Sequence, residues 1–445
     1  MRLQVLIAFL AATPACAESW IFRTDLWGNP AFATLTLARD GKRLTGDLDG
    51  ERVAGQIAGT RIAFRATDAQ GRTSDFAGTL TQDAMVGTAD QPDTNDPKAR
   101  AVHRFTARRV PERPAGPPRT HVFRPTDYSN TWNADRAPVL TIWPGDTVRT
   151  TTVDSGGVDA QGLTRALFGN PQTGPFFVAG AVPGDTLVVR LRRLTLDRDY
   201  ADSLDTIVGR ALGAALVPAA QGLGKPVRWT LDRVAGRARP QGASGTLANF
   251  SLPVRPMLGG LAVAPGFGSP AISTGDAGRY GGNMDLPDVA AGNTVYLAVQ
   301  QPGALLYLGD AHALQGDGET SQYGLETSMS VEFSVELIKG KTISVPRVET
   351  PTQIVALGQA GSLDEALKAA STGLIQWLEQ DYGLSLSQAA HVLGSAVQYN
   401  VPNLAGRSVG VAARLDKAML PPSRRIVSLD ERPLPSSVDT GPRRP

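Results

Sequence analysis

Cysteine is almost absent from this sequence, which has one in 445 residues. That residue, Cys16, lies in an N-terminal stretch that starts with the basic Arg2, continues with an apolar run and ends in Ala-Cys-Ala, the pattern of a signal-peptide cleavage site. We therefore expect residues 1–17 to be a signal peptide and the mature protein to be periplasmic or secreted. Removal of Cys16 excludes a disulfide, a thiolate metal site and any mechanism that uses a cysteine nucleophile.

An excess of charge of one sign and long hydrophobic runs are also missing. Lys plus Arg (44) nearly balances Asp plus Glu (42), so charge does not indicate nucleic acid or an anionic membrane surface as a partner. After residue 17, no apolar run is long enough to span a bilayer. We expect neither nucleic-acid binding nor a membrane span.

Histidine is scarce as well, with four in the chain. His103 lies in a strand pattern, His391 lies in an apolar helical pattern, and His121 reads as the entry of a strand, so the structural interpretation is favoured for all three. The sequence also lacks the G-x-S-x-G, H-E-x-x-H, phosphate-loop and dinucleotide-binding motifs. A three-histidine zinc site is therefore disfavoured, and any metal site must use carboxylates together with His312.

Four segments of different composition divide the chain. Residues 18–108 are short alternating segments separated by turn signals, which predicts a small antiparallel β-meander or barrel domain. Residues 109–120 are rich in Pro and Arg and are predicted to be a linker. Apolar strands joined by Pro-Gly-Asp-Thr turns follow in residues 121–420 and predict a β-sandwich core, so the fold class is mainly β. Residues 421–445 are rich in Pro, Ser and Arg and are predicted to be largely disordered.

Helix is predicted only in the C-terminal part of the chain. Ser362 and Glu365 form a capping-box pattern at the start of one helix, and LSQAAHVLGSAV predicts a second. Seven apolar residues of the first helix recur at helical spacing and are predicted to pack on the sheets: Leu363, Ala366, Leu367, Ala370, Leu374, Trp377 and Leu378.

The segment GDAHALQGDGE, residues 309–319, concentrates polar side chains directly after the apolar run GALLYL. Because side chains alternate along a strand, Asp310 and His312 are predicted to project from the same face as Leu306 and Leu308. A carboxylate and an imidazole at this spacing can bind a divalent metal. A hydrogen-bonded Asp–His pair is the alternative.

Glycines in the same segment are predicted to return two acids to the strand end. Gly316 and Gly318 allow a tight turn that brings Asp317 and Glu319 near His312. A carboxylate beside a metal-bound water can take the proton that hydrolysis releases. The alternative is a solvated acidic turn.

Three further candidates lie beside paired glycines. Asn283 and Asp285 occur in RYGGNMDLPD, and Asp154 occurs in TTTVDSGGVDAQG. Paired glycines indicate close approach of the backbone to another segment or to a ligand. Such pairs are usually only turns, and these gain weight if the fold collects them.

From about His121 to Leu420 the chain resembles the acetamidase/formamidase family. The resemblance rests on the order and spacing of five segments: NPQTGPFFVAGAVPGDTL, YGGNMDLPDVAAGNTVYL, GALLYLGDAHALQGDGE, LETSMSVEFSVELIKGK and GSLDEALKAASTGL. It implies hydrolysis of short linear amides to carboxylate and ammonia, a mostly β core with C-terminal helices, and a homo-oligomer. It also implies a divalent metal, zinc.

Carried onto this chain, the resemblance implies a polar pocket with assigned roles. The implied metal ligands are Asp154, Asp310 and His312. The implied catalytic residues are Glu319, Asp317 and Asn283, with Glu319 as general base and Asn283 or a backbone N–H stabilising the oxyanion. The implied substrate-binding residues are Asp285 and Gln315.

Two departures from the family pattern leave other functions open. Relatives carry a Glu-Thr pair where this chain has Thr151 and Thr152, and a histidine where it has Ser129. A non-catalytic exported binding or structural module on the same fold is one alternative. A hydrolase of another acyl bond, such as an ester or a lactam, is the other.

Overall fold

The computed structural model describes residues 17–93, 95–96, 98–266 and 269–423. The predicted signal peptide, apart from residue 17, and the predicted disordered tail, apart from residues 421–423, lie outside the described residues. Among the described residues, neither α-helix combines the length and the apolar character that crossing a bilayer requires.

The first part of the chain forms a closed antiparallel β-barrel, in which each strand pairs with the next and the last pairs with the first. Its strands are β1 (Glu18–Leu26), β2 (Asn29–Asp40), β3 (Arg43–Leu48), β4 (Glu51–Ala58), β5 (Arg61–Thr67), β6 (Thr73–Leu80), β7 (Ala84–Pro92) and β8 (Arg100–Arg109). In β5, Ile62, Phe64 and Ala66 are buried while the residues between them are exposed. The predicted small β domain is thus confirmed as a barrel.

The remaining strands follow a segment without regular structure and build two large sheets and one two-stranded sheet. They are β9 (Thr120–Val122), β10 (Thr131–Trp132), β11 (Leu140–Ile142), β12 (Thr147–Thr151), β13 (Gln172–Val178), β14 (Thr186–Leu196), β15 (Tyr200–Leu204), β16 (Pro226–Asp232), β17 (Arg237–Pro240), β18 (Leu252–Pro253), β19 (Met257–Val263), β20 (Ile272–Ser273), β21 (Ala277–Gly278), β22 (Gly281–Asn283), β23 (Thr294–Ala298), β24 (Leu306–His312), β25 (Glu326–Thr327), β26 (Met329–Ile338), β27 (Arg347–Glu349), β28 (Gln353–Ala360), β29 (Gln398–Asn400) and β30 (Val409–Asp416). The helices are α1 (Leu363–Trp377) and α2 (Leu386–Ala396), with a π-helical turn at Leu378–Tyr382 and 3₁₀ turns at Gly209–Ala211, Ala214–Leu216, Gly245–Leu247, Asp317–Glu319 and Lys417–Met419.

The two sheets pack face to face around one core. One sheet, which we call the site sheet, has the order β18-β17-β16-β15-β25-β24-β19-β22-β21, and β13 also pairs with β24. The other, which we call the helix-covered sheet, has the order β29-β30-β28-β27-β23-β14-β26-β12-β9. In β14, Leu187 and Val189 enter the core between the sheets, whereas Val188 joins the core under the helices. This alternation, expected of a strand buried on both faces, confirms a mainly β fold with C-terminal helices.

Helix α1 packs on the helix-covered sheet with only part of its predicted apolar face. Ser362 caps the helix by accepting a hydrogen bond from Glu365 N. Ala370 and Leu374 are buried, but Leu363 and Leu367 are 42% and 40% exposed. The prediction that these two leucines face the sheets is wrong, because the helix contacts the sheet along a stripe narrower than its apolar face.

The structural interpretation fits two of the three other histidines. His103 is buried in the barrel edge-on to Trp27, and His121 on β9 bonds Asp146 Oδ2 through Nε2 at 2.9 Å. His391 is exposed on α2, so the prediction that it packs inside the helical layer is wrong.

Candidate functional site

Neighbouring strands of the site sheet bring the polar residues together. Strands β25, β24, β19 and β22 lie side by side in that order. In the antiparallel register, Glu326 on β25 lies directly opposite His312 on β24. Asn283 on β22 lies opposite Gly260 on β19, which also pairs with Gly309 on β24. Segments far apart in the chain therefore converge at one place on the sheet.

A buried cluster of one imidazole and four carboxyl groups forms there. His312 and Asp285 are fully buried, and Asp310, Glu326 and Glu319 are 1%, 4% and 6% exposed. Two overlapping groups, Asp285–His312–Glu319 and Asp310–His312–Glu326, have potential ligand atoms within 4.8 Å of one another. His312 Nε2 lies 3.2 Å from Glu326 Oε1 and 3.6 Å from Asp310 Oδ1. The imidazole is thus the member that both groups share, and we call these five residues the His312 cluster.

Gln315 fixes the orientation of the imidazole. Its Nε2 donates to the carbonyls of Asp285 and Pro402 at 2.6 and 3.1 Å. Its Oε1 is therefore the atom that lies 2.8 Å from His312 Nδ1, and it can only accept. Nδ1 consequently carries a hydrogen, and Nε2 is directed at the carboxylates, which is how a carbonyl partner orients a metal-binding histidine.

Three asparagine amides hold the outer carboxylate oxygens. Asn170 Nδ2 donates to Asp310 Oδ2 at 2.9 Å and to Asn283 Oδ1 at 2.8 Å. Asn283 and Asn403 each donate to Asp285 Oδ2 at 2.5 Å. These bonds fix the carboxylates of Asp285 and Asp310 by one oxygen each and leave the other oxygen for a further ligand.

Four inner atoms of the cluster have no hydrogen-bond partner among the described residues: Asp285 Oδ1, Asp310 Oδ1, Glu326 Oε2 and His312 Nε2. Buried polar atoms of this kind require a partner. Two ligands of one tetrahedral zinc ion lie about 3.4 Å apart, given zinc–ligand distances of about 2.0–2.2 Å. The distances of 3.2 and 3.6 Å from His312 Nε2 to the two carboxylates match that spacing, so the residues fit a divalent metal.

Burial and like charges raise the pKa of three acids in the cluster, Asp285, Glu319 and Glu326. Burial, followed by the charge of Asp310, raises the pKa of Asp285 to about 8. Burial and the charge of Asp285 raise the pKa of Glu319 well above its ordinary value, and burial also raises the pKa of Glu326. Burial lowers the pKa of His312, but Glu326 and Asp310 outweigh it and raise the value. The cluster therefore retains protons or takes up another positive charge.

The backbone around the cluster is adapted to bring its side chains close. Asn170, Asp285, Asp310 and Glu319 have φ values of 57°, 43°, 54° and 44°, in the left-handed region that side chains other than glycine seldom adopt. A Cβ on Gly259 would lie 2.5 Å from Asp285 Oδ1 and 2.7 Å from Asp310 Oδ2. Strained backbone of this kind is characteristic of functional sites.

Most of the residues predicted from the sequence meet in this place, but two do not. Asp154 Oδ2 is bound by the buried Arg198 Nη2 at 2.6 Å and belongs to neither group of potential ligands, so its role as a metal ligand stays a prediction. Asp317 is exposed and accepts a hydrogen bond from Asn400. Gly318, with φ of 86°, turns the chain so that Glu319 points inward and Asp317 outward. Gln315 is buried and contacts His312, and its role in substrate binding stays a prediction.

Sequence reasoning missed Glu326, Asn170 and Asn403. Glu326 stands in LETSMSVEFSVELIKGK, a segment that resembles the family, but only the antiparallel pairing of β24 and β25 shows that it lies opposite His312. Asn170 is the first residue of NPQTGPFF. The following Pro171, which interrupts regular secondary structure, was the only local indication of an unusual backbone at Asn170. Asn403 had no local signal.

The part of the chain that contains the cluster is similar to known amidases. The model of the Acetamidase/Formamidase family matches residues 243–401. A crystal structure of an acetamidase from Yersinia enterocolitica is 29% identical, with a TM-score of 0.59, and the match covers 68% of this chain and 94% of that one. A predicted acetamidase/formamidase from Thermoanaerobacter tengcongensis is 26% identical, with a TM-score of 0.58, over 68% of this chain and 97% of its own.

Similarity to curated sequences covers shorter segments. The formamidase of Methylophilus methylotrophus is 30% identical over 138 residues, which is 26% of this chain and 34% of the formamidase. A protein from Schizosaccharomyces pombe is 42% identical over 60 residues, or 13% of this chain and 15% of its own length. The matches thus span 34% and 15% of the length of these curated relatives.

Proposed function

We propose that this chain, which belongs to the acetamidase/formamidase family, hydrolyses short linear amides to a carboxylate and ammonia. One observation carries the proposal: the His312 cluster presents buried, unpartnered oxygen and nitrogen atoms within the segment that matches the family. Such atoms can hold a divalent ion, which would polarise a carbonyl group and activate a water, and a neighbouring carboxylate can take the proton of that water; together these are what amide hydrolysis requires.

The narrow access supports a small substrate. The two residues assigned to catalysis, Glu319 and Asn283, are each only 6% exposed. Above them the chain is closed by hydrogen bonds from Gly318 N to Pro402 O and from Leu404 N to Gly318 O. A site this closed favours amides with few atoms beyond the reacting group, such as formamide and acetamide.

The family implies a metal, and the residues fit one. Asp310, His312 and Glu326 would hold a divalent ion, with zinc favoured by the mixed nitrogen and oxygen ligands. When bound, such an ion polarises the amide carbonyl and lowers the pKa of a coordinated water. Glu326 takes the place that the sequence assigned to Asp154, which is bound to Arg198.

Glu319 transfers the proton, and Asn283 stabilises the oxyanion. Glu319 takes a proton from the attacking water and returns it to the nitrogen as the carbon–nitrogen bond breaks, so that amide and water become carboxylic acid and ammonia. Its raised pKa suits a group that must hold this proton between the two steps. Asn283 Nδ2 donates one hydrogen to Asp285 and has a second for the oxygen that gains negative charge.

The proposal includes a place of action and an assembly. The signal-type N-terminus supports export to the periplasm or beyond, and the family supports a homo-oligomer. N-terminal sequencing of the protein from the cell exterior should start after residue 17. Light scattering of the purified protein should give a mass that is a multiple of the chain mass. A retained N-terminus contradicts export, and a monomer contradicts the assembly.

The activity is tested by ammonia release over a series from formamide to butyramide. We expect the rate to fall as the acyl group grows, and Glu319→Gln to lower it by about a hundredfold or more. Glu332→Gln is the matched control, because Glu332 lies outside the cluster and pairs with Arg149. Full ammonia release by Glu319→Gln contradicts the role of Glu319, and release from none of the amides contradicts the function.

A further inference from the structure

The barrel contains a cavity that is remote in sequence from the His312 cluster. Its volume is about 380 Å³, within the range of small-molecule sites, which is about 300–1,000 Å³. The residues that line it come from the starts of β1, β3, β5 and β7 and the ends of β2, β4, β6 and β8. The cavity therefore opens at one end of the barrel.

The other half of the barrel is filled, which gives the cavity a floor. Phe22, Phe64, Phe76 and Phe105 contact one another with ring centroids 4.7 to 6.3 Å apart. Trp20 precedes Phe22 by two residues on β1 and faces the same interior. The interior thus changes from packed aromatic rings to open space along the length of the strands, as occurs in eight-stranded barrels that hold one small ligand.

The walls are apolar, and two arginines stand at the rim. Leu37, Leu44, Ile57, Ile62 and Met85 are buried and line the cavity. Arg109 is paired with Glu18 at 3.2 Å and with Glu112 at 2.6 Å, which leaves Arg39 as the rim cation without an ion pair among the described residues.

Trp20 supplies a donor to the cavity. It lines the cavity and is 1% exposed, and its Nε1 has no hydrogen-bond partner among the described residues. A buried indole N–H usually has an acceptor. A ligand that fills this space would supply one.

We propose that the barrel binds a small carboxylate with an apolar tail. The tail packs against the leucine, isoleucine and methionine walls, and the carboxylate accepts hydrogen bonds from Arg39 at the rim and from the indole N–H. This site goes beyond the proposed amide hydrolysis and does not depend on it.

The test uses the full chain with sodium octanoate and 1-octanol as probes in calorimetric titrations. We expect saturable binding of octanoate, weakened about fivefold in Arg39→Gln, the effect of one partly exposed charge. Binding of 1-octanol should not change in that variant. Arg52→Gln is the matched control, because Arg52 is exposed on β4 and does not line the cavity.

Two further variants test the place of binding. Ile57→Trp fills the cavity and should abolish binding of both probes, while Trp20→Phe keeps the apolar wall, removes the N–H and should weaken octanoate several-fold. Ammonia release should be unchanged in all four variants. Absence of saturable octanoate binding, or equal effects of Arg39→Gln and Arg52→Gln, overturns the proposal. If Ile57→Trp does not fold, undiminished octanoate binding by Trp20→Phe overturns the assigned place.

Discussion

His312 is central to the site because it is the residue that both groups of potential metal ligands share. Nδ1 donates to Gln315 Oε1, and Nε2 lies within 3.6 Å of carboxylate oxygens of Asp310 and Glu326. The strand pattern predicted the pairing of His312 with Asp310, since alternate side chains share a face. It could not predict Glu326, because that contact depends on how two strands pair.

Replacing Glu326 tests whether it is a metal ligand. Glu326→Gln keeps the size of the side chain and removes the charge opposite His312. We expect metal retention after dialysis, measured by elemental analysis, to fall by about tenfold or more, as loss of a ligand contact weakens metal sites. Glu332→Gln is the control and should retain metal like the unaltered chain. Equal metal content in both variants would remove Glu326 from the site.

The raised pKa of Asp285 predicts how pH affects the metal-free protein. Its pKa is about 8 when folded against 3.8 for the ordinary group, so between these values the folded state holds a proton that the unfolded chain has lost. Stability must therefore fall as pH rises through this window. We expect the melting temperature of the metal-free protein to decrease from pH 5 to pH 8, with a smaller decrease in Asp285→Asn. A melting temperature that rises with pH, or identical slopes for both proteins, would contradict this assignment.

Strand β19 determines how closely the acids approach one another. Gly259 leaves room for Asp285 Oδ1 and Asp310 Oδ2, which a Cβ would meet at 2.5 and 2.7 Å. Glycine pairs in the sequence predicted close approach at Asn283 and Asp285. They did not single out Gly259, because only the order β24-β19-β22 shows what its missing side chain faces.

Adding one methyl group to β19 should therefore disturb the site without disturbing the fold. Gly259→Ala is expected to lower ammonia release by about a hundredfold, the cost of misplacing reacting groups by about 1 Å. Gly316→Ala is the matched control, because a Cβ there meets nothing within 4 Å. Both variants should keep the circular dichroism spectrum of the unaltered chain. Unchanged activity in Gly259→Ala would show that the spacing of the two carboxylates is not critical.

At the scale of the whole molecule, the barrel has a hydrophobic core of its own. Its buried residues form one cluster, whereas β14 contributes to both of the other two. Composition and alternation predicted a mainly β chain with a small N-terminal β domain and C-terminal helices. The convergence of Asn170 and Asn403 on the cluster could not be predicted, since their contacts with Asp310 and Asp285 join residues 140 and 118 positions apart.

Separate cores predict two unfolding transitions in calorimetry. Metal removal should lower the melting temperature of the sandwich transition only, because the His312 cluster lies on the site sheet. Phe76→Ala should lower the melting temperature of the barrel transition only, by more than about 10 °C, since truncation of a buried phenylalanine costs about 3–5 kcal/mol. Phe76 is 2% exposed within the barrel core. A single transition that both changes shift equally would contradict independent cores.

The central claim is that the His312 cluster is a metal-dependent centre for amide hydrolysis. Its most direct test is ammonia release from acetamide, measured before chelation, after chelation and after a stoichiometric amount of zinc is returned, with His312→Gln in parallel. We predict a fall of about a hundredfold on chelation, recovery with zinc in the unaltered chain and no recovery in His312→Gln. Full activity of the metal-free protein, or recovery in His312→Gln, would contradict the account.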